Sequence, residues 1–302
     1  MSLDNLVRAL PDSGRSAGDD RKVTASRRQV LGWLVAAPVW ARWAVYPAHA
    51  EDAAHASSSR EAYAEAVSVL PVEELTEAAR AKILAVVQQP TIYRRLPVEV
   101  IDCDPDLYLF LVRYPEVVVN MWQLMGVTRV RLRRTAPYVF EANDGAGTQS
   151  TVELVYGNRD KHLWHATGYY EGPLFKRRVN GTCVLLLQSG YSQSSSGRLL
   201  ISTRLDMFVA LENVGAEFVA RTLHPLVGKT ADHNFSETVR FVAQVSQQAE
   251  INRSGMQRLA DRLDNVDSAV RRQFAALVAG VSERAALRVA AASQPENRPQ
   301  GM

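Results

Sequence analysis

The chain has 302 residues, 47% hydrophobic and 22% charged, too apolar for a disordered chain and too polar for a polytopic membrane protein. Its formal charge of +3 belongs to the first fifty residues, which hold seven Lys/Arg against four Asp/Glu; the remainder holds 28 of each and offers no electrostatic footprint for nucleic acid. Two cysteines, Cys103 and Cys183, are too few for a disulfide scaffold or a cysteine-rich metal site.

Ser26-Arg27-Arg28-Gln29-Val30-Leu31 opens a mostly apolar stretch, Leu31 to Val45, interrupted by Arg42. Ala48-His49-Ala50 follows, then Glu51-Asp52. Paired arginines, an apolar run and an A-x-A site in that order resemble a twin-arginine export signal. The resemblance implies a bacterial protein that engages the export machinery through Arg27 and Arg28 and crosses the membrane folded. Cleavage after Ala50, with Ala48 and Ala50 as the small residues of the site, then gives a periplasmic or otherwise exported chain. The apolar run is shorter than the ~20 residues of a spanning helix. In an oxidising compartment Cys103 and Cys183 could pair; two small buried thiols are the other reading. Asp102 and Asp104 flank Cys103 and would raise its pKa, which argues against a catalytic thiol.

Residues 51–70 are rich in Ala, Ser and Glu and read as a tether or frayed helix. Pro71 starts a better helix, Val72 to Gln89, with Leu75, Ala79, Ile83, Val86 and Val87 at helical spacing and Pro90 as its stop. From Ile92 the period shortens to two, which predicts a strand through Val100. Asp104-Pro105 caps a short helix to Arg113, and Pro115 restarts one that ends at Met125-Gly126. Trp122 closes that second helix and is expected to be buried against a sheet. Six strands follow: Thr128–Arg134, Tyr138–Ala142, Thr151–Tyr156, His162–Val179 bent near Gly172-Pro173, Thr182–Ser189 and Leu199–Leu211. Asn180-Gly181 predicts a two-residue type I′ hairpin. Along the last strand Leu199, Ile201, Leu205, Met207, Val209 and Leu211 share one face; Arg204, Asp206 and Glu212 share the other. Residues 215–223 read as a short helix ended by His224-Pro225. A long helical segment runs from Phe235 to about Ala291, with a kink expected at Asn252–Gly255.

This order resembles the helix-grip fold of the START-like and polyketide-cyclase-like (SRPBCC-type) superfamily: strand, two short helices split by a proline, antiparallel strands, long helix. Asp104-Pro105, Tyr114-Pro115-Glu116 and Met121-Trp122 carry the local likeness. The resemblance implies an α+β fold, a curved antiparallel sheet of about seven strands over a long C-terminal helix. It also implies that the gap between sheet and helix holds an apolar ligand. The domains expected are a signal at 1–50, a tether and helix at 51–90, the helix-grip domain at 91–251, a helical extension at 252–292 and a disordered tail at 293–302.

No nucleophile elbow, P-loop or dinucleotide fingerprint occurs, and no catalytic residue or cofactor is assigned. Asp232, His233 and Glu237 lack the pattern of a metal site and read as a helix start, so no metal is assigned. His162 and His165 point to opposite faces of a strand. Tyr138, Phe140, Glu153, Tyr156, Trp164, His165, Tyr169 and Arg204 are the candidate ligand-binding residues. The leading function is an exported, non-catalytic binder of a hydrophobic small molecule or lipid. The alternatives are a cyclase- or hydrolase-type enzyme in the same cavity, or an interaction protein assembling through its C-terminal helices. There Met256, Leu259, Leu263, Val266, Val270, Phe274, Leu277 and Val281 form an apolar stripe that must bury itself. It can dock on Leu75, Ile83 and Val86 of the N-terminal helix, or form a homodimer through residues 256–281. Replacing Arg27 and Arg28 together by lysine should leave unprocessed precursor in the cytoplasm. Amino-terminal sequencing of exported protein checks this, and a chain still starting at Glu51 overturns the twin-arginine reading.

Overall fold

The computed structural model describes residues 3–9, 55–173, 177–195, 197–212, 214–215 and 224–292. Arg27, Arg28, Ala48, Ala50, the helix expected at 215–223 (apart from Gly215) and the tail 293–302 lie outside the described residues. Among those described, no helix is long and apolar enough to cross a membrane.

Eight strands form one antiparallel sheet. They are β1 (Ile92–Arg95), β2 (Glu99–Asp102), β3 (Arg131–Ala136), β4 (Val139–Asn143), β5 (Thr148–Gly157), β6 (Lys161–Tyr170), β7 (Val179–Gln193) and β8 (Leu199–Leu211). The order is β1-β8-β7-β6-β5-β4-β3, with β2 also paired to β8, so the sheet is seven positions wide. The single strand expected from Ile92 divides because Pro97 has no N–H to give β8. The hairpin expected at Asn180-Gly181 is absent: both residues lie inside β7, opposite Tyr169 and Gly168 of β6. Glycine serves close strand approach here. A Cβ at Gly181 would come 2.8 Å from the Leu211 side chain, and one at Gly168 would come 2.3 Å from the Gln149 carbonyl.

The inner face of the sheet is gripped by α4 (Pro105–Arg113), α5 (Pro115–Leu124) and α6 (His224–Ile251). Asp104 caps α4 by accepting from the backbone N–H groups of Asp106 and Leu107 at 3.1 and 3.2 Å. Gly126, at φ +69°, takes the left-handed turn after α5 that a side chain would strain. Trp122 is buried as expected. The described part of α6 starts at His224, so Asp232, His233 and Glu237 lie inside a helix rather than at its start. Asp232 is consumed there by an ion pair with Arg94 of β1.

The C-terminal run is two helices, α7 (Arg253–Asp261) and α8 (Ser268–Ala292), separated by a turn. Asn252 makes the expected kink by capping α7, accepting from the Gly255 N–H at 3.0 Å. The apolar stripe docks within the chain, but not on the N-terminal helix. The ring of Phe274 stacks on Phe110 of α4 at 6.0 Å, and Arg284 donates to the Asp104 carboxylate at 2.7 and 3.0 Å. A further helix, α1 (Leu3–Ala9), buries Leu3, Leu6 and Val7 in the same core. It passes so close to α7 that a Cβ on Gly255 would lie 2.3 Å from the Val7 side chain.

The outer face of the sheet has its own cover. Residues expected to be a tether or frayed helix form α2 (Arg60–Ser68), capped by Ser59; α3 (Glu77–Val87) follows, capped by Thr76. Ala66, Ile83, Val86 and Val87 pack there on Leu163, Val184, Leu186 and Phe208. Beneath α2 lies a buried ionic cluster. Arg95 donates to Asp206 at 2.8 Å and to Glu65 at 2.6 Å, and Tyr93 donates to the same Asp206 oxygen at 2.7 Å. Asp206 is fully buried. The bond from Arg95 holds the Glu65 carboxyl below its ordinary range, while burial and Asp206 push the Tyr93 phenol up. Asp206→Ala should therefore leave the buried Arg95 with only Glu65 and the Ala62 carbonyl as acceptors, and cost about 3 kcal/mol in urea unfolding. The double variant Arg95→Met/Asp206→Leu should recover most of that loss, since it leaves no buried charge there.

Candidate functional site

Between the inner face and α4, α5 and α6 the packing is incomplete, and a cavity of about 470 Å³ remains. Its floor comes from residues two apart on the strands, among them Phe140, Val152, Trp164, Ala166, Leu185 and Met207. Its roof comes from Leu111, Val118 and Trp122 on one side and Phe235, Val239 and Val242 of α6 on the other. A second recess, of about 490 Å³, is bordered by Arg131, Arg133, Glu141 and Tyr169 of β3, β4 and β6. It is more polar and more open to solvent, and Arg133 and Glu141 on its border pair with each other.

The polar groups around the apolar cavity are mostly bonded to each other. The Tyr108 hydroxyl lies 2.8 Å from the Ser189 hydroxyl and donates to Thr203 at 3.0 Å. Asp144 is the one charged residue among the described lining residues. Its carboxylate accepts from the Ala146 and Thr148 N–H groups at 2.7 and 2.9 Å and from the Thr148 hydroxyl at 2.6 Å. Thr238 donates to the Asn234 carbonyl at 2.6 Å. Burial pushes the Cys183 thiol up to about 12, so it faces the cavity as a neutral group. Cys103, likewise raised to about 12, is a separate free thiol. Trp122 Nε1 and Ser150 Oγ, on residues of the wall, are buried atoms without a hydrogen-bond partner that are closed off from the open cavity.

Of the candidate residues read from sequence, Phe140 and Trp164 line the cavity, their rings 5.9 Å apart. Tyr169 borders it, with its ring 3.4 Å from the Arg178 guanidinium. Five others do not line it. Tyr138 sits at the β3–β4 turn with φ +60° and an exposed ring. Glu153 pairs with Lys82 of α3, Tyr156 donates to Glu74, and Arg204 pairs with Glu65 of α2. His165 stands opposite Glu153 across β5 and β6. The reason is parity. With Trp164 turned inward, His165 must face outward, and Arg204 must oppose Leu205. Sequence reading missed Tyr108, Trp122, Ser150 and Thr203. It also missed Ala231, Phe235, Val239 and Val242, whose three- and four-residue steps along α6 carry the signal.

His162 is fully buried and accepts from the Arg113 Nε at 3.2 Å. Burial first, and then Arg113, push it down to about 4. His165 is lowered in the same sense by burial and by Lys82. Burial raises the Glu116 carboxyl despite its ion pair with Arg134 at 2.7 Å.

No protein-family model matches the chain. No curated protein matches it in sequence. Similarity appears among solved structures. One is a hypothetical protein, jhp0584, from Helicobacter pylori, at 10% identity and TM-score 0.32, covering 50% of this chain and 86% of that one. Another is the di-domain aromatase/cyclase BexL of the BE-7585A biosynthetic pathway, at 15% identity and TM-score 0.27, covering 61% of this chain. The chain spans 59% of BexL.

The histidines predict an acid-sensitive fold. A neutral His162 in the folded state meets a protonated one in the unfolded state between its ordinary pKa of 6.5 and about 4. Its contribution is full above pH ~6.5 and is lost as pH falls, by about 3 kcal/mol at pH 4. His165 adds to the loss, and Glu116, raised in the folded state, opposes it at the acid end. Urea unfolding between pH 7 and 4 should show this slope, and His162→Gln should flatten it.

Proposed function

We propose that this chain is an exported, non-catalytic binding protein for a hydrophobic small molecule or lipid. The observation that carries the reading is the apolar cavity, whose volume falls in the range of small-molecule sites, about 300–1,000 Å³. A ligand there gains roughly 0.8 kcal/mol for each methylene withdrawn from water, less the cost of losing its freedom. Acid–base catalysis needs a titratable group free to move a proton. Asp144, the carboxylate on this cavity, spends its oxygens on its own turn. The export element of the reading rests on Arg27-Arg28 and Ala48-His49-Ala50.

Binding of the neutral fluorescent probe N-phenyl-1-naphthylamine tests the reading. Wild-type protein should take up the probe with a blue-shifted, enhanced emission. Ala166→Trp, which places an indole in the void beside Val152 and Cys183, should weaken uptake at least tenfold while the unfolding midpoint holds. Equal uptake by both proteins, or none by the wild type, removes the cavity as a binding site.

A further inference from the structure

Helix α1 meets the rest of the fold along one short contact with α6 and α7. Leu3, Leu6 and Val7 are buried in it, while Asp4 and Asn5 between them are exposed. The seat is shaped for this segment. Gly255, in the first turn of α7, does not take a left-handed conformation. A glycine loosens a helix, and space rather than backbone freedom accounts for this one. A Cβ there would collide with the side chains of Val7 and of the capping Asn252. After residues 10–54 the chain is fixed to the body again. Ser57 exchanges backbone hydrogen bonds with Arg95 of β1 at 2.7 and 2.9 Å. Arg27-Arg28 and Ala48-His49-Ala50 belong to the stretch between these two attachments.

From these observations we propose that α1 is a latch that holds only in cis. It fills the seat on α6 and α7 while the chain is continuous, and it leaves when the chain is cut between Ala9 and Ser57. Three aliphatic side chains make the buried contact, so a free peptide gains little beyond the freedom it loses on binding. Covalent attachment changes the balance, because it presents α1 at an effective concentration on the order of 1 mM. With a free-peptide dissociation constant of about 0.1 mM, the uncut chain is latched roughly ten to one. After a cut, at about 1 µM protein, only about one molecule in a hundred keeps the peptide. The latch stands on the α1 contact and is independent of the ligand cavity. The export reading supplies only the place of the cut in the cell, after Ala50.

The full chain carrying a specific protease site between Ala50 and Glu51 tests the latch, whether or not the cell cuts there. Size-exclusion chromatography at about 1 µM follows the released fragment, and hydrogen exchange at the amides of α7 follows the seat. After cutting, fragment 1–50 should elute apart from the body, and the α7 amides should exchange up to about tenfold faster. A synthetic peptide of residues 1–12 at about 1 mM should restore their protection. In the uncut chain, Val7→Asp should give the exchange pattern of the cut protein at α7 and leave β8 unchanged. That comparison separates loss of the latch from loss of the fold. A fragment that stays with the body after cutting overturns a latch that holds only in cis. Exchange at α7 that ignores the cut and Val7→Asp, or that the added peptide does not slow, overturns the seat itself. A chain exported without cleavage after Ala50 removes the export reading and leaves the result with the inserted site standing.

Discussion

Strand β8 is buried on both faces, and its register decides what the two sides of the molecule can be. Leu205, Met207 and Val209 face the cavity, while Asp206 and Phe208 face the layer of α2 and α3. The strand is held on one side by β1 and β2 and on the other by β7, through thirteen paired positions from Gly181–Leu211 to Gln193–Leu199. A slip of one residue would put the Asp206 carboxylate into an apolar void and strand Arg95 beneath α2. The ionic cluster therefore works as a register pin. It contributes little net stability for its burial, but it makes the wrong pairing far more costly than the right one.

That division of labour leaves the cavity electrically quiet. The charges that the strands carry are sent to the outer face, where helix side chains meet them: Glu153 with Lys82, Arg204 with Glu65, Asp206 with Arg95. Among the described lining residues what remains is mostly hydrocarbon, with the Tyr108 hydroxyl bonded to its neighbours and the Asp144 carboxylate tied into its own turn. Such a lining favours ligands by shape and by removal from water, with polarity as a fine adjustment.

Much of this was legible in the sequence, and what was not had physical causes. The caps at Asp104 and Gly126, the kink at Asn252 and the alternation of β8 are local signals, and each appears where its chemistry places it. Phe140 and Trp164 could be assigned to the cavity because large inward residues alternate on their strands. Glu153, His165 and Arg204 lie outside the cavity by the parity of their strands, and Tyr156 by the β-bulge between Leu154 and Tyr156, which reverses that parity and which polarity alone does not reveal. The outer cover, α2 and α3, was unreadable for another reason. A short amphipathic helix does not reveal which of two sheet faces it will cover. Asn180-Gly181 misled because a glycine demanded by the closeness of Leu211 looks, in sequence, like one demanded by a turn.

The two ends of the chain share a packing interface. Helix α1 brings Leu3, Leu6 and Val7 into the same core as Met256 and Leu259 of α7, and the bare Cα of Gly255 is what lets Val7 approach. Should the first fifty residues be removed on export, α1 would leave with them. The protein would then exist in two versions with one fold and two exteriors, one closed over α7 before processing and one uncovered after it. Its surface chemistry would become a record of where in the cell the molecule has been.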